Sequence, residues 1–562
     1  MHQKAKPIIA LSASAALVLT SFAMVGCSTA NQSSSSQPTQ QETQTETQKR
    51  TNTWAPEGMM TDKVYYDGVA AESELDGGYY YEDVDWNTES YSDIDKNESF
   101  ILTSSKPFST FSADVDTASY CNFRRLVNES VDGKLPEGAL RTEEMVNYFD
   151  YSYDTPKKGD LFGVTTKIVD TPWNDQTKLL VMGLKTEDNK ITKDDGNNFV
   201  FLIDVSGSMD SRDKLPLLKK SFYHLLDNMN AGDKVSIVTY SGNEKVELEG
   251  ADAVEDRDKI LSTIQDLEAE GSTNGQSGLE MAYKIAKENY IENGNNRIIM
   301  ASDGDLNVGM TSNGDLKDYV AEKREEGTYL SVLGFGTGNY KDDKMETIAD
   351  NGNGNYFYID SEEEAEHIFS DKLMSSMHTV ADDVKMQVEF NPAYVKAYRQ
   401  IGYENRKMAD EDFNNDKVDA AELGSGTTVT VAYELVMTDS EMELPSIDSK
   451  YSSDEAKGVE NGEWLTLNIK YKAPHEDTST EEEHSYGEKA YDKSGKMDSD
   501  LAFAAAVMEF SMLENDIPNM PDASLDHVLS QLKDKDVVNN NQRIEFRNLL
   551  KHLQELRGEG VV

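Results

Sequence analysis

The fold is decided by the stretch FVFLIDVSGS, residues 199–208. Its first five residues are a continuous apolar run of strand length, which is typical of a strand buried on both faces of a sheet. A helical pattern begins shortly afterwards at Leu215, with Pro216 tolerated in the first turn. A buried strand that leads through a polar, glycine-containing turn into a helix predicts one unit of a parallel α/β sheet.

The alternation of strands and helices continues from Asn198 to about His378. Short apolar runs recur at 235–240, 297–301, 329–335 and 356–359. Helical patterns separate them, at 215–229, 256–267, 277–290, 316–326, 342–349 and 362–377. Right-handed crossovers between such strands predict a doubly wound parallel sheet, on which ligands bind outside the carboxyl ends of the strands.

A different pattern flanks this domain. From about Asp383 apolar residues alternate with polar ones, at 384–390, 429–435 and 465–471, which is typical of antiparallel sheet. Strand-like runs at 162–169 and 179–184 precede the α/β domain. The simplest architecture is an α/β domain inserted into, or flanked by, one antiparallel β-sandwich, with short helical segments, the last of them at 501–513, 525–532 and 542–556.

The N-terminus has the pattern of a secretory signal. Lys4 and Lys6 precede an apolar run that ends in MVGC at residues 24–27, which looks like a bacterial lipobox. We expect residues 1–27 to be a lipoprotein signal peptide and Cys27 to be lipidated, so that the chain is anchored to the cell membrane on its extracytoplasmic face. In a cell with two membranes this would be compatible with the outer one. The alternative is an uncleaved membrane helix, which also places the remainder outside the cytoplasm.

The other boundaries follow from changes in composition. Residues 28–98 are a low-complexity, then acidic and Tyr-rich, tether. We expect a mixed α/β segment at 99–190, the α/β domain at 196–380, a β-rich domain at 381–495 and a helical segment at 496–562. Asp116 is placed to cap the first helix of the mixed segment.

The charge excludes several functions. The chain has 562 residues, with 54 Lys and Arg against 104 Asp and Glu, and a net charge of −50. Such a charge argues against nucleic acid as a partner and attracts divalent cations. Two cysteines exclude a disulfide scaffold, and eight scattered histidines argue against a His-rich metal site.

Short oxygen-bearing side chains occur in three loops at the carboxyl edge of the predicted sheet. Asp204, Ser206 and Ser208 lie at i, i+2 and i+4, and Gly207 permits a sharp turn between them. Thr273 and Asp303 occupy loops at the same predicted edge of the sheet. Oxygen ligands without thiol or imidazole suit Mg²⁺, with Mn²⁺ or Ca²⁺ as substitutes.

This arrangement resembles the metal-ion-dependent adhesion site (MIDAS) of von Willebrand factor type A domains. The resemblance implies that Ser206, Ser208 and Thr273 ligate the metal directly, while Asp204 and Asp303 act largely through water. It also implies an open sixth position that an acidic group of a partner fills. Longer segments resemble YfbK-like bacterial lipoproteins, which implies a shared architecture and an envelope location. These segments lie at 111–120, 141–149, 333–336, 381–392 and 401–406.

The function favoured by these features is binding rather than catalysis. We expect Mg²⁺ to bridge the chain to a carboxylate on a protein or an envelope polymer. One alternative is an envelope-assembly scaffold whose metal only stabilises the fold. A metal-dependent hydrolase is less favoured, because neither Ser206 nor Ser208 lies in G-x-S-x-G and no His base is near in sequence.

A second acidic loop resembles a calcium loop. Asp412, Asn414 and Asp416 provide oxygens at alternate positions, and Asp419 and Glu422 follow them. Lys417, however, stands where an EF-hand loop needs glycine. A polar connection between strands is therefore the favoured interpretation, with a second cation site as the alternative.

Overall fold

The computed structural model describes residues 89–91, 99–187, 196–292, 294–304, 313–337, 340–373, 379–444, 458–474, 476 and 478–558. The predicted signal peptide, Cys27 and most of the predicted tether lie outside these residues. Within them, no helix is both long and apolar enough to cross a membrane.

The elements fall into three groups along the chain. The first comprises β1 (Ile101–Leu102), β2 (Phe108–Ser112), α1 (Ala118–Glu129), α2 (Thr142–Asn147), β3 (Phe162–Asp170) and β4 (Lys178–Thr186). The second comprises β5 (Asn197–Asp204), α3 (Leu215–Asp227), β6 (Lys234–Tyr240), β7 (Glu244–Asp252), α4 (Arg257–Gln265), α5 (Gly275–Glu288), β8 (Asn295–Ser302), α6 (Asn313–Glu325), β9 (Tyr329–Phe335), α7 (Asp342–Asn351), β10 (Tyr356–Ile359) and α8 (Glu362–His367). The third comprises β11 (Thr379–Phe390), β12 (Val395–Ile401), β13 (Ala421–Gly424), β14 (Thr428–Met437), β15 (Glu463–Lys472), β16 (Ser479–Gly487), α9 (Ser499–Glu514), α10 (Leu525–Gln531) and α11 (Asn541–Leu556).

The second group forms the predicted α/β domain. Its sheet has the order β10-β9-β8-β5-β6-β7, in which every neighbouring pair is parallel except β6 and β7. Strand β5 explains the continuous apolar run. Phe199, Phe201 and Ile203 pack into the core under α3 and α4, while Val200 and Leu202 pack into the core under α5 and α6. Both faces of the sheet are therefore covered, as the sequence predicts.

The strands of the first and third groups together form the β-sandwich. One sheet has the order β1-β12-β14-β4-β3, and the other has the order β13-β11-β15-β16 with β2 paired to β11. Side chains from both sheets share one core, in which Leu180 and Met182 of the first sheet lie with Val388 of the second. Each sheet takes strands from before and after the α/β domain. Of the two arrangements considered, insertion is thus the one observed.

Three arginines with largely buried side chains, 3% to 12% exposed, join the inserted domain to the rest of the body. We call Arg124, Arg141 and Arg406 the arginine seam. Each pairs with carboxylates of the inserted domain at N–O distances from 2.5 to 3.0 Å: Arg124 with Asp360 and Glu364, Arg141 with Asp342 and Glu346, and Arg406 with Asp350. The N-cap residue of α1 is Thr117, so the prediction that Asp116 caps this helix is wrong. Asp116 pairs instead with Arg406 at 2.9 Å.

Residues Glu89–Tyr91 dock against the inserted domain. The Ser90 N–H donates to the Tyr340 carbonyl at 3.1 Å, and the Asp342 N–H donates to the Ser90 carbonyl at the same distance. The buried Glu89 carboxylate pairs with Arg125 of α1 at 3.0 Å. This short segment thus contacts both the Tyr340–Asp342 turn and α1.

Candidate metal centre

The first loop of the site begins where β5 ends. Asp204 is fully buried, and its Oδ1 accepts a hydrogen bond from the Ser206 N–H at 2.8 Å. This bond closes a tight turn that brings the Ser206 and Ser208 hydroxyls to 3.0 Å from each other. Ser206 is buried, whereas Ser208 is exposed. The turn therefore presents hydroxyl oxygens at the edge of the sheet.

The second loop is fixed to the first by its backbone. The Gly207 N–H donates to the Gly271 carbonyl at 3.1 Å, and the Glu270 N–H donates to the Val205 carbonyl at 2.8 Å. Gly271 has a φ of +84°, a conformation that favours glycine. Thr273 follows two residues later, half-buried, just before α5. These bonds place the loop of Thr273 alongside the two serines.

The third loop follows β8. The Ser302 hydroxyl donates to Asp204 Oδ2 at 3.3 Å and accepts from the Gly304 N–H at 3.2 Å. Asp303, between these two residues, is 4% exposed. Gly304 has a φ of +91°, and a Cβ on it would lie 2.6 Å from the backbone nitrogen of Lys341. The loop of Asp303 is therefore closely packed against the turn that residues 89–91 contact.

The electrostatics of the site reflect two neighbouring buried carboxylates. Burial raises the pKa of Asp204 to about 6, and the charge of Asp303 raises it too, while hydrogen bonds from Ser206 act in the opposite direction. The Lys214 ammonium donates to Asp303 Oδ2 at 2.9 Å. A buried carboxylate with a raised pKa is short of positive charge.

Two neighbours of the site were not singled out from the sequence. Tyr240 ends β6, and its buried ring lies near Asp204 and Ser302; burial and the charge of Asp204 raise its pKa well above the ordinary value. Lys214 directly precedes α3. The position of Tyr240 at a carboxyl strand end was a usable signal, whereas the pairing of Lys214 depends on packing.

The residues present fit a hard divalent cation. All five predicted side chains offer oxygen, which Mg²⁺ prefers. Among the described residues no group of three or more His, Cys, Asp and Glu side chains could hold a metal, so hydroxyl oxygens must complete any ligand set here. Asp204 and Asp303, buried near each other, supply the negative charge that such an ion would neutralise.

The residues of the second acidic loop have different partners in the structure. Asp412 and Asn414 belong to a short helical turn, Asp410–Asn414. Asp416 pairs with Lys470 at 3.0 Å, and Glu422 of β13 accepts from the Asn353 side chain at 2.9 Å. In the part of the chain that the structure describes, no three His, Cys, Asp or Glu side chains are grouped so that they could hold a metal, and a polar connection between strands remains the favoured interpretation of this loop.

Comparisons with known proteins agree with this architecture. Residues 198–371 match the von Willebrand factor type A domain model, residues 85–181 match a von Willebrand factor model, and residues 375–556 match the C-terminal model of the uncharacterized protein YfbK. The chain is 40% identical over 377 residues to YfbK of Escherichia coli (strain K12), across 66% of this chain and 65% of YfbK.

Two more distant similarities were found. The chain is 26% identical over 271 residues to inter-alpha-trypsin inhibitor heavy chain H3 of Pongo abelii, across 45% of this chain and 30% of the heavy chain. Among solved structures, a von Willebrand factor type A protein from Catenulispora acidiphila aligns with a TM-score of 0.40 and 16% identity, across 72% of this chain and 91% of that one. The matched region thus spans less than two thirds of the length of either curated relative. The family models and the identity to YfbK lead to one conclusion: the chain is a YfbK-like protein that contains a von Willebrand factor type A domain.

Proposed function

We propose that this protein is a membrane-anchored, extracytoplasmic binding protein that uses a divalent cation, Mg²⁺ in the first instance, to hold an acidic group of a partner. The observation that carries the proposal is the convergence of Asp204, Ser206, Ser208 and Asp303 at the carboxyl edge of the sheet, with the loop of Thr273 bonded alongside. When bound, the cation would supply positive charge for a carboxylate. The side chains of the protein would position the cation, and Ser208, which is exposed, lies on the side where a partner would approach.

The surroundings of the site favour a metal-bridged partner. The groove beside the metal loops has a volume of about 870 Å³, and most of its charged residues are acidic. They are Glu244, Glu247, Asp266, Glu268 and Glu270, against Lys245. An acidic ligand would be repelled by this groove unless a cation lay between the two. Affinity should therefore rise with ionic strength, which screens the repulsion.

The test uses poly-L-glutamate as a carboxylate probe on the purified folded chain. We expect binding in Mg²⁺ and none in EDTA. Asp204→Asn should abolish binding without loss of the circular dichroism spectrum, whereas Asp210→Asn should leave it intact, because Asp210 is an exposed carboxylate of the same turn. Binding that persists in EDTA, or in Asp204→Asn, would refute the proposal.

The arginine seam favours a second candidate, an envelope scaffold in which the metal only stabilises the fold. The inserted domain is held to the sandwich and helices by buried ion pairs, so a stabilised domain would stiffen the whole body. In that case Mg²⁺ would raise the melting temperature while poly-L-glutamate showed no Mg²⁺-dependent binding. Hydrolysis is the least supported function, and turnover of ester or phosphate substrates that disappears in Ser208→Ala would revive it.

A further inference from the structure

The Lys214 side chain is held in one position beside the candidate metal centre by packing and by an ion pair. Its side chain is 12% exposed, and its Nζ donates to Asp303 Oδ2 at 2.9 Å. The stem lies over Gly336, where a Cβ would be 2.2 Å from Lys214 Cε. The absence of a side chain at residue 336 thus makes room for the lysine stem, and the ammonium is held on Asp303.

The ion pair changes the charge balance of the site. Asp204 and Asp303 together carry two negative charges when ionised, and Lys214 carries one positive charge. A divalent ion bound among these three side chains leaves one net positive charge, whereas without the lysine the sum is zero. Because all three side chains are largely buried, water screens these charges poorly.

We propose that Lys214 is a built-in counter-charge of the metal centre. It competes with the divalent ion for Asp303 and so weakens metal binding, while it keeps the occupied site positive and able to attract a carboxylate. The inference rests on the proposed function, because it assumes that the site holds a divalent ion. It assigns to Lys214 a positioning role that acts through Asp303.

Two opposite effects follow from the removal of this charge. Lys214→Met keeps the length of the stem and its contact with Gly336. We expect this variant to bind Mn²⁺ or Mg²⁺ at least ten-fold more tightly in titration calorimetry on the metal-free chain. At saturating Mg²⁺, we expect it to bind poly-L-glutamate at least several-fold more weakly. If Lys214 had only a structural role, its replacement by Met would not tighten metal binding.

Three further variants make the result decisive. Lys214→Arg keeps the charge and should restore metal affinity to near the wild-type value. Lys220→Met removes one charge from the exposed face of α3, where Lys220 is 64% exposed, and should leave metal affinity unchanged. If Lys214→Met does not fold, as judged by circular dichroism, Lys214→Gln takes its place and should bind metal more tightly in the same way.

The outcomes separate the inference from the proposed function. No metal uptake by the wild-type chain would overturn both. Metal uptake by the wild type, with unchanged or weaker uptake by Lys214→Met and Lys214→Gln, would overturn the role of Lys214 alone. Tighter metal binding with weaker poly-L-glutamate binding in the charge-neutral variants, and neither effect in Lys214→Arg, would establish the role.

Discussion

Asp204 and Asp303 show that the candidate metal centre carries negative charge that the protein compensates only in part. Two carboxylates buried near each other repel, and both burial and the charge of Asp303 raise the pKa of Asp204. Lys214 and the hydrogen bonds from Ser206 and Ser302 offset part of this repulsion and of the loss of hydration. The remaining negative charge is what a divalent cation would meet, which is the residue-scale basis of the proposed function.

Glu364 of the inserted domain shows the opposite electrostatic behaviour. Burial favours its neutral form, but the His367 ring, whose Nδ1 lies 3.6 Å from the carboxylate, and the Arg124 guanidinium, which donates to it at 2.8 Å, outweigh burial and lower its pKa to about 2. A depressed carboxyl pKa stabilises the folded state above the unfolded pKa of 4.5, and this stability is lost as the pH falls towards 2.

We therefore expect Glu364→Gln to lose about 3 kcal/mol of unfolding free energy at pH 7, at 1.36 kcal/mol per pKa unit. At pH 3 the loss should be less than half as large. Urea denaturation at the two pH values measures both differences. Glu362→Gln is the matched control on the same helix, because Glu362 is 51% exposed and should matter little at either pH. A loss independent of pH would contradict the charge-based explanation.

The motif residues of the candidate site could be identified from the sequence because they are contiguous or follow strand ends. Asp204, Ser206 and Ser208 lie within five residues, and Asp303 directly follows β8. Lys214 and Asp116 could not be assigned in this way. Their partners, Asp303 and Arg406, are far away along the chain, so only the packing of the elements brings each pair together.

At the scale of elements, the sheet was largely predictable. The buried strands of the α/β domain are apolar runs because both faces are covered, and their positions agree with β5, β6, β8, β9 and β10. β7 was missed. It is an antiparallel edge strand with an irregular pattern of burial, and it carries charged side chains, so neither apolar continuity nor strict alternation indicates it.

The loop after β8 gives a prediction at the same scale. Gly304→Ala should cost more than about 2 kcal/mol of stability and weaken Mg²⁺ binding, because its φ of +91° is strained for alanine and the new Cβ would meet the Lys341 backbone. The displaced loop carries Asp303. Urea denaturation and titration calorimetry measure the two effects.

The control for this substitution is Gly232→Ala in the same domain. Gly232 has a φ of +97°, but nothing lies within 4 Å of a Cβ placed there. It should cost only about 1 kcal/mol, from the backbone strain, and leave metal affinity unchanged. Equal effects of the two substitutions would show that contact with the Tyr340–Asp342 turn does not position Asp303.

At the scale of the whole molecule, ligand binding should stabilise the folded chain as a unit. Mg²⁺ at 100 times its dissociation constant should add about 2.7 kcal/mol to the unfolding free energy. Differential scanning calorimetry in Mg²⁺ and in EDTA measures the shift. Asp303→Asn should show little or no shift and Asp210→Asn the wild-type shift. A Mg²⁺-induced shift of wild-type size in Asp303→Asn would place the ion elsewhere.

The arginine seam limits how freely the inserted domain can be exchanged. A type A domain grafted from another protein would bring its own metal loops, but it would need carboxylates at the places of Asp342, Asp350 and Glu364 to receive Arg141, Arg406 and Arg124. Without them, guanidinium groups would be enclosed with fewer compensating anions, at a cost of several kcal/mol. Donor domains for a chimera should therefore be chosen by their seam residues first, and by their metal loops only afterwards.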